Sequence, residues 1–208
     1  MLAAPSIELN EPDRPAIPNP LQETLAFGAG LGARRLSVLT WPADATIRRL
    51  RVLDLEPESQ EIGKLSGYQV TAEQRLSPMQ VFQAASILLD YRNYDVAVRK
   101  PERPSQYGRG AGNLCGGFRP AFAVSFTDVA ENTVHAFVCL TCDEVQIDLL
   151  LAREPRDFRP DPPKPLATPD KGVVRFGLTP AGREALLRLA LNAFPTDALL
   201  KKLPLRRK

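Results

Sequence analysis

The chain reads as an α+β domain: an antiparallel β-meander sheet of about five or six strands with two helices packed on one face. Three observations carry this reading. Residues 115–151 contain three runs in which apolar and polar side chains alternate, the period of a half-buried strand. Two other segments repeat apolar residues at helical spacing behind a Ser-Pro and a Thr-Pro, the start signal of an amphipathic helix. The 208 residues, 44% of them hydrophobic, suffice for one core with tails.

Taken in order, residues 1–33 are expected to form an extended or disordered arm. Five prolines lie between Pro5 and Pro20. Gly28, Gly30 and Gly32 lack the spacing of a dinucleotide-binding turn and follow no strand, so they read as a linker. The single α+β domain then spans 34–198, followed by a basic tail, 199–208. Leu36–Trp41 and Ile47–Leu55 read as short strands, the second disturbed in its alternation by Arg48, Arg49 and Arg51. Glu56–Lys64 is polar and turn-like, and Gly67–Glu73 reads as another strand. Ser77-Pro78-Met79-Gln80 forms a capping box with proline at the first helical position. That helix should run to about Asp90, with Val81, Phe82, Ala85, Leu88 and Leu89 on the face that covers the sheet. After Tyr91–Asp95 comes a polar loop to Gly117. Its glycines (108, 110, 112, 116 and 117), with Arg109 and Arg119, could form a nest of N–H groups for an anion. No Gly-Lys-Ser/Thr ending marks a nucleotide loop, and a mobile loop leading into the meander is the plainer reading.

The meander itself is the most clearly patterned part. Phe122, Val124 and Phe126 oppose Ala123, Ser125 and Thr127; Val134, Ala136 and Val138 oppose Thr133, His135, Phe137 and Cys139; Val145, Ile147 and Leu149 oppose Glu144, Gln146 and Asp148. Asp128–Asn132 supplies the first turn and Thr141–Asp143 the second. One apolar face shared by three strands calls for a helix over it. Beyond the meander, Glu154–Pro169 carries six prolines and is expected as surface without regular structure. Thr179-Pro180 starts the second helix, to about Phe194, with Leu186, Leu187, Leu189, Ala190, Leu191 and Phe194 facing the core.

Charge and hydropathy exclude several classes. The net charge is +3, and Lys201, Lys202, Arg206, Arg207 and Lys208 hold five positive charges, leaving −2 over the rest. The body therefore offers no basic surface of the size nucleic acid needs. No apolar run approaches the ~20 residues of a membrane span. The start shows no charged n-region or apolar h-region, so no signal peptide is expected unless an engineered start has replaced one. A single histidine among many Ser and Asp residues is no catalytic constellation. Glu144 and Asp148 fall on the face that reads as solvent, which argues against an acid/base pair.

The candidate thiol or disulfide site is Cys115, Cys139 and Cys142, spaced C-x23-C-x2-C. Four readings of it stand open. A zinc site needs a fourth ligand; His135 and Cys139, four residues apart on one strand, would be separated by about 13 Å. A redox dithiol would want a helix N-terminus, whereas Cys139-Leu140-Thr141-Cys142 lies between strands and ahead of Asp143 and Glu144. A structural disulfide from Cys115 to Cys139 or Cys142 would close a loop of roughly 25 residues, stabilise by about 3–4 kcal/mol, and need an oxidising compartment. Reduced, buried cysteines packed beside Phe118 and Phe137 are the fourth reading. His135 beside Phe137 likewise reads as a packed residue.

An ordered set of short motifs adds to this. Leu-Leu-Asp-x-x-x-Tyr at 88–94, Cys-Gly-Gly-Phe-x-Pro at 115–120, Val-Cys-x-x-Cys at 138–142 and Ala-Phe-Pro-x-Asp at 193–197 resemble a family of small uncharacterised bacterial proteins over roughly residues 45–205. The resemblance implies a single domain and treats Cys115 and the Cys-x-x-Cys as a unit. It implies no activity and assigns no site roles. The function expected is a non-enzymatic binding or structural module, with the 108–120 loop and the 139–143 turn as its distinctive surface. The partner would be a protein or small molecule of unknown identity, with no cofactor. The alternative is a thiol-dependent redox or zinc-binding protein using Cys115, Cys139 and Cys142.

Overall fold

The computed structural model describes residues 20–52, 60–95, 118–152 and 173–203. Cys115 and the glycine loop 108–117, the proline-rich segment 154–169, and the parts of the two tails at 1–19 and 204–208 lie outside the described residues. Eight strands form one antiparallel sheet: β1 (Asp44–Leu50), β2 (Gly63–Leu65), β3 (Tyr68–Arg75), β4 (Tyr94–Asp95), β5 (Phe122–Thr127), β6 (Thr133–Cys139), β7 (Glu144–Leu150) and β8 (Val174–Leu178). Their order is β2-β3-β1-β5-β6-β7-β8-β4. The described helices are α1 (Pro20–Leu31), α2 (Ala33–Thr40), α3 (Pro78–Leu89), α4 (Pro180–Ala193) and the short α5 (Ala198–Lys202).

The α+β class and the meander stand, but the sheet is larger than the expected five or six strands and more than two helices cover it. Strands β5, β6 and β7 pair in simple register, with Ser125 opposite His135 and His135 opposite Asp148. The first turn is closed by Asp128, whose Oδ1 accepts the N–H groups of Ala130 and Asn132, each at 2.9 Å. Both expected helices form. Gln80 accepts the Ser77 N–H at 2.9 Å, and Thr179 accepts the Gly182 N–H at 3.2 Å, so each start signal satisfies an otherwise orphaned donor. Phe82, expected in the core, is exposed, and Ala84 is buried in its place. The buried stripe of α3 is thus centred on Val81, Ala84, Ala85 and Leu88, turned away from the side that the bulk of Phe82 suggests.

Residues 20–31 correct the expectation of an arm over 1–33. They form α1, and Phe27 and Leu31 are buried in the core. Leu36–Trp41, expected as a strand, belongs to α2 and its C-cap. Glycine is costly in a helix interior, so local propensity argues against α1. Tertiary burial decides the outcome, as it does for most protein helices. Phe27 stacks on Tyr94 with ring centroids 4.6 Å apart, and Phe176 lies 5.2 Å from Phe27. Gly32 breaks the two helices apart with φ at 78°, a left-handed conformation that glycine adopts without steric cost.

Strand β1 starts at Asp44, and its arginines have different fates. Arg49, on the helix-covered face, is buried; its Nε donates to Asp197 at 2.8 Å and its Nη1 to the carbonyls of Ala121, at 2.8 Å, and Leu50. Arg48 points to the opposite face. Strands β2 and β3 close a two-residue turn through Ser66 and Gly67, with φ of 48° and 85°, the pairing that suits the twist of a tight hairpin. Strand β8 and the two-residue β4 extend the far edge of the sheet.

All five described helices contribute to one core, against Ile47, Phe122, Val124, Phe126, Val134, Ala136 and Ile147 of the sheet. The opposite sheet face carries no described helix. It holds a small apolar cluster of Leu50, Val70, Ala123 and Phe137, flanked by Leu65, Tyr68 and Phe118, and beside that cluster a row of polar side chains. No described helix is long and apolar enough to cross a membrane.

Candidate functional site on the open sheet face

Register places Thr46 of β1, Ser125 of β5, His135 of β6 and Asp148 of β7 side by side across four strands. Side chains directly opposite one another in antiparallel strands stand about 4.5–5.5 Å apart at Cβ, so this row forms a continuous polar strip. His135 Nδ1 lies 2.8 Å from Ser125 Oγ. Arg48 Nη1 donates to the same oxygen at 2.8 Å, and Arg48 Nε pairs with Glu73 at 2.6 Å. Ser125 and His135 are both buried. Together with Asp44, Leu65, Thr127 and Leu150 they line an open pocket of about 330 Å³, at the small end of the size range of ligand pockets.

We assign the histidine tautomer from its hydrogen-bond partners. Ser125 Oγ receives a proton from Arg48 and has one O–H of its own to give. With that proton assigned to His135 Nδ1, the ring nitrogen accepts and the ring hydrogen sits on Nε2. Burial, with the Arg48 cation as a smaller contribution, lowers the His135 pKa to about 4, so the ring is neutral at neutral pH.

A serine and a histidine at this distance have the spacing of a nucleophile and its base. Two features weigh against that chemistry. The Arg48 guanidinium occupies a lone pair of the hydroxyl, and a desolvated imidazole held so acidic is a poor proton acceptor. The arrangement is better suited to holding an acceptor than to attacking one.

A second polar group extends along the same face. Arg175 lies over the Phe118 ring, 4.7 Å from its centroid, and donates to Gln146 at 2.8 Å. Gln146 in turn donates to Asp148 at 3.2 Å. Gln146 is buried and Asp148 half-buried, and burial raises the Asp148 pKa against the opposing effect of Gln146. The face that read as solvent is thus largely withdrawn from water around this row.

Of the three cysteines, the structure describes two. Cys139 ends β6 as a free, buried thiol. Its Sγ accepts the Cys142 N–H at 3.4 Å and lies 3.3 Å from Thr141 Oγ1. The turn that follows is fastened to α4: Arg183 donates to the Leu140 carbonyl at 3.2 Å and pairs with Asp143 at 2.8 Å. Asp143 takes a φ of 55°, and its carbonyl accepts the Leu178 N–H at 2.6 Å. Strand β6 runs unbroken through both His135 and Cys139, the condition under which extended geometry keeps these two residues apart. No group of three or more His, Cys, Asp or Glu side chains suited to a metal occurs among the described residues.

The motifs of the resemblance include contacts that hold the fold together. Tyr94 donates to the Leu88 carbonyl at 2.7 Å, and Asp197 both pairs with Arg49 and caps α5 at 2.7 Å. Sequence reasoning missed Arg48, Ser125 and Asp148 as neighbours of His135. Their signal is parity: each falls on the polar side of its own strand, but which strands are neighbours is not written in any one of them. Compared with protein-family models, curated proteins and solved structures, the chain matches none.

Proposed function

We propose that the protein is a non-enzymatic binding module whose ligand, a small molecule, sits in the pocket on the open sheet face. The observation that carries this is the Arg48–Ser125–His135 network: buried Ser125 and His135 and half-buried Arg48, mutually ordered at the wall of an open pocket. Buried polar groups of this kind are costly unless paired, and few convergent polar groups in a concave site are the usual form of a small-molecule site. The test is a fragment screen on the full chain, read by amide chemical-shift mapping. Hits should cluster at Thr46, Ser125 and His135. Hits confined to the helix-covered side, or none anywhere, would remove the reading.

The thiol reading is the alternative, drawing on Cys115, Cys139 and Cys142. What weighs against a redox dithiol is the burial of Cys139, since thiol exchange needs access to the sulfur. With Cys139 a free thiol, a structural disulfide would join Cys115 to Cys142. Intact mass with and without reductant, beside elemental analysis, separates the cases. A two-hydrogen deficit with one alkylatable thiol supports the disulfide; stoichiometric zinc supports the metal site. A Cys139→Ser variant that keeps fold and ligand binding supports the module.

A further inference from the structure

We infer that the ligand is a small organic carboxylate, held between His135 Nε2 and Arg48 Nη2 on the open sheet face. The inference rests on the pocket being a binding site and names the chemistry of its occupant. His135 is only 5% exposed, and its ring is fixed through Nδ1 to Ser125. Its Nε2–H has no hydrogen-bond partner among the described residues, although the ring lines the pocket. Arg48 uses Nε for Glu73 and Nη1 for Ser125. Its Nη2 likewise has no partner among the described residues.

Two donors held by their own networks and left unpartnered at one pocket wall are a site for an acceptor. The charge balance narrows it further. Glu73 offsets part of the Arg48 charge, and Asp44 at the rim is paired with Arg75. Asp148 beside His135 adds a further carboxylate to the strip, so the two donors suit at most a monoanion and disfavour a dianionic phosphate. An ammonium group would face a cation, and a carboxamide would bring an NH2 to a wall of donors. Leu65 and Leu150 complete the lining with apolar surface, which suits a short hydrocarbon body behind the carboxylate.

The test uses the only histidine of the chain as a reporter. Full-length protein at neutral pH is titrated with hexanoate, hexanamide, hexylamine and inorganic phosphate, while the imidazole nitrogens are followed by long-range 1H–15N correlation. Hexanoate should shift Nε2 saturably, and hexanamide, hexylamine and phosphate should bind at least tenfold more weakly. Arg48→Gln, checked for native circular dichroism, should weaken hexanoate by tenfold or more. The wild-type series decides the question even if that variant does not fold. Hexanamide equal to hexanoate, or phosphate in its place, overturns the carboxylate assignment while leaving the pocket as a site. No shift with hexanoate overturns it too, and the fragment mapping then separates the two failures: hits at His135 keep the module, and their absence removes both.

Discussion

Acidification should destabilise this protein through one residue, His135. Its folded pKa is lowered to about 4, against about 6.5 in the unfolded chain. The sign follows from which state takes up the proton. Above pH 6.5 both states are neutral at this ring, and it contributes nothing. As the pH falls below 6.5 the unfolded chain is protonated while the buried ring is not, so the penalty accumulates until about pH 4. Linkage puts it at about 2 kcal/mol at pH 5 and about 3 kcal/mol at pH 4. Burial also raises the Asp148 pKa beside the ring, which acts in the opposite sense because the folded state then takes up that proton more readily. The measurement is therefore a comparison with His135→Asn, whose carboxamide oxygen can still accept from Ser125. Urea unfolding followed by far-ultraviolet circular dichroism at pH 8, 6, 5 and 4 gives the stability of each protein. The gap between wild type and variant should move in favour of the variant by about 2 kcal/mol between pH 8 and pH 5. Parallel profiles over that range, or a folded-state titration of the histidine near its ordinary value, would overturn this account.

Three further outcomes follow from close contacts. Gly182→Ala should destabilise by about 1–3 kcal/mol in urea unfolding, because overpacked sites force the backbone to move. A Cβ there would stand 2.7 Å from Asn93 Cβ and 2.8 Å from its Cα, reversing the usual gain of alanine in a helix. Gly63→Ala, with no atom within 4 Å of the new methyl, is the control and should stay within about 0.5 kcal/mol. Asp197→Ala should cost about 1–3 kcal/mol by removing the acceptor of a buried Arg49 donor together with the cap of α5, whereas Arg75→Ala, which breaks an exposed pair with Asp44, should cost under about 1 kcal/mol. Cys139 should resist iodoacetamide in the native protein and react once it is denatured, read by intact mass; rapid native alkylation would contradict its burial.

Short-range physics controls how much of the fold is legible in the chain before it folds. Alternation over 122–127, 133–139 and 144–150 exposes three strands and their buried face, since a strand repeats every two residues whatever lies beside it. Ser77 with Gln80, and Thr179 ahead of Pro180, announce two helices because caps satisfy local backbone groups. The remainder rests on contacts between distant segments. α1 forms despite Gly28 and Gly30 because Phe27 finds Tyr94 and Phe176, partners far along the chain, and Leu31 joins the same core. Arg49, which spoils the alternation of β1, is buried on the helix side because Asp197 waits there, 148 residues away. The site depends most on such contacts. Arg48, Ser125 and His135 are ordinary polar positions of three separate strands, and only the order β1-β5-β6 sets them side by side at one pocket. Strand order is set by which apolar faces can be buried together, a sum over the whole chain that no single segment carries.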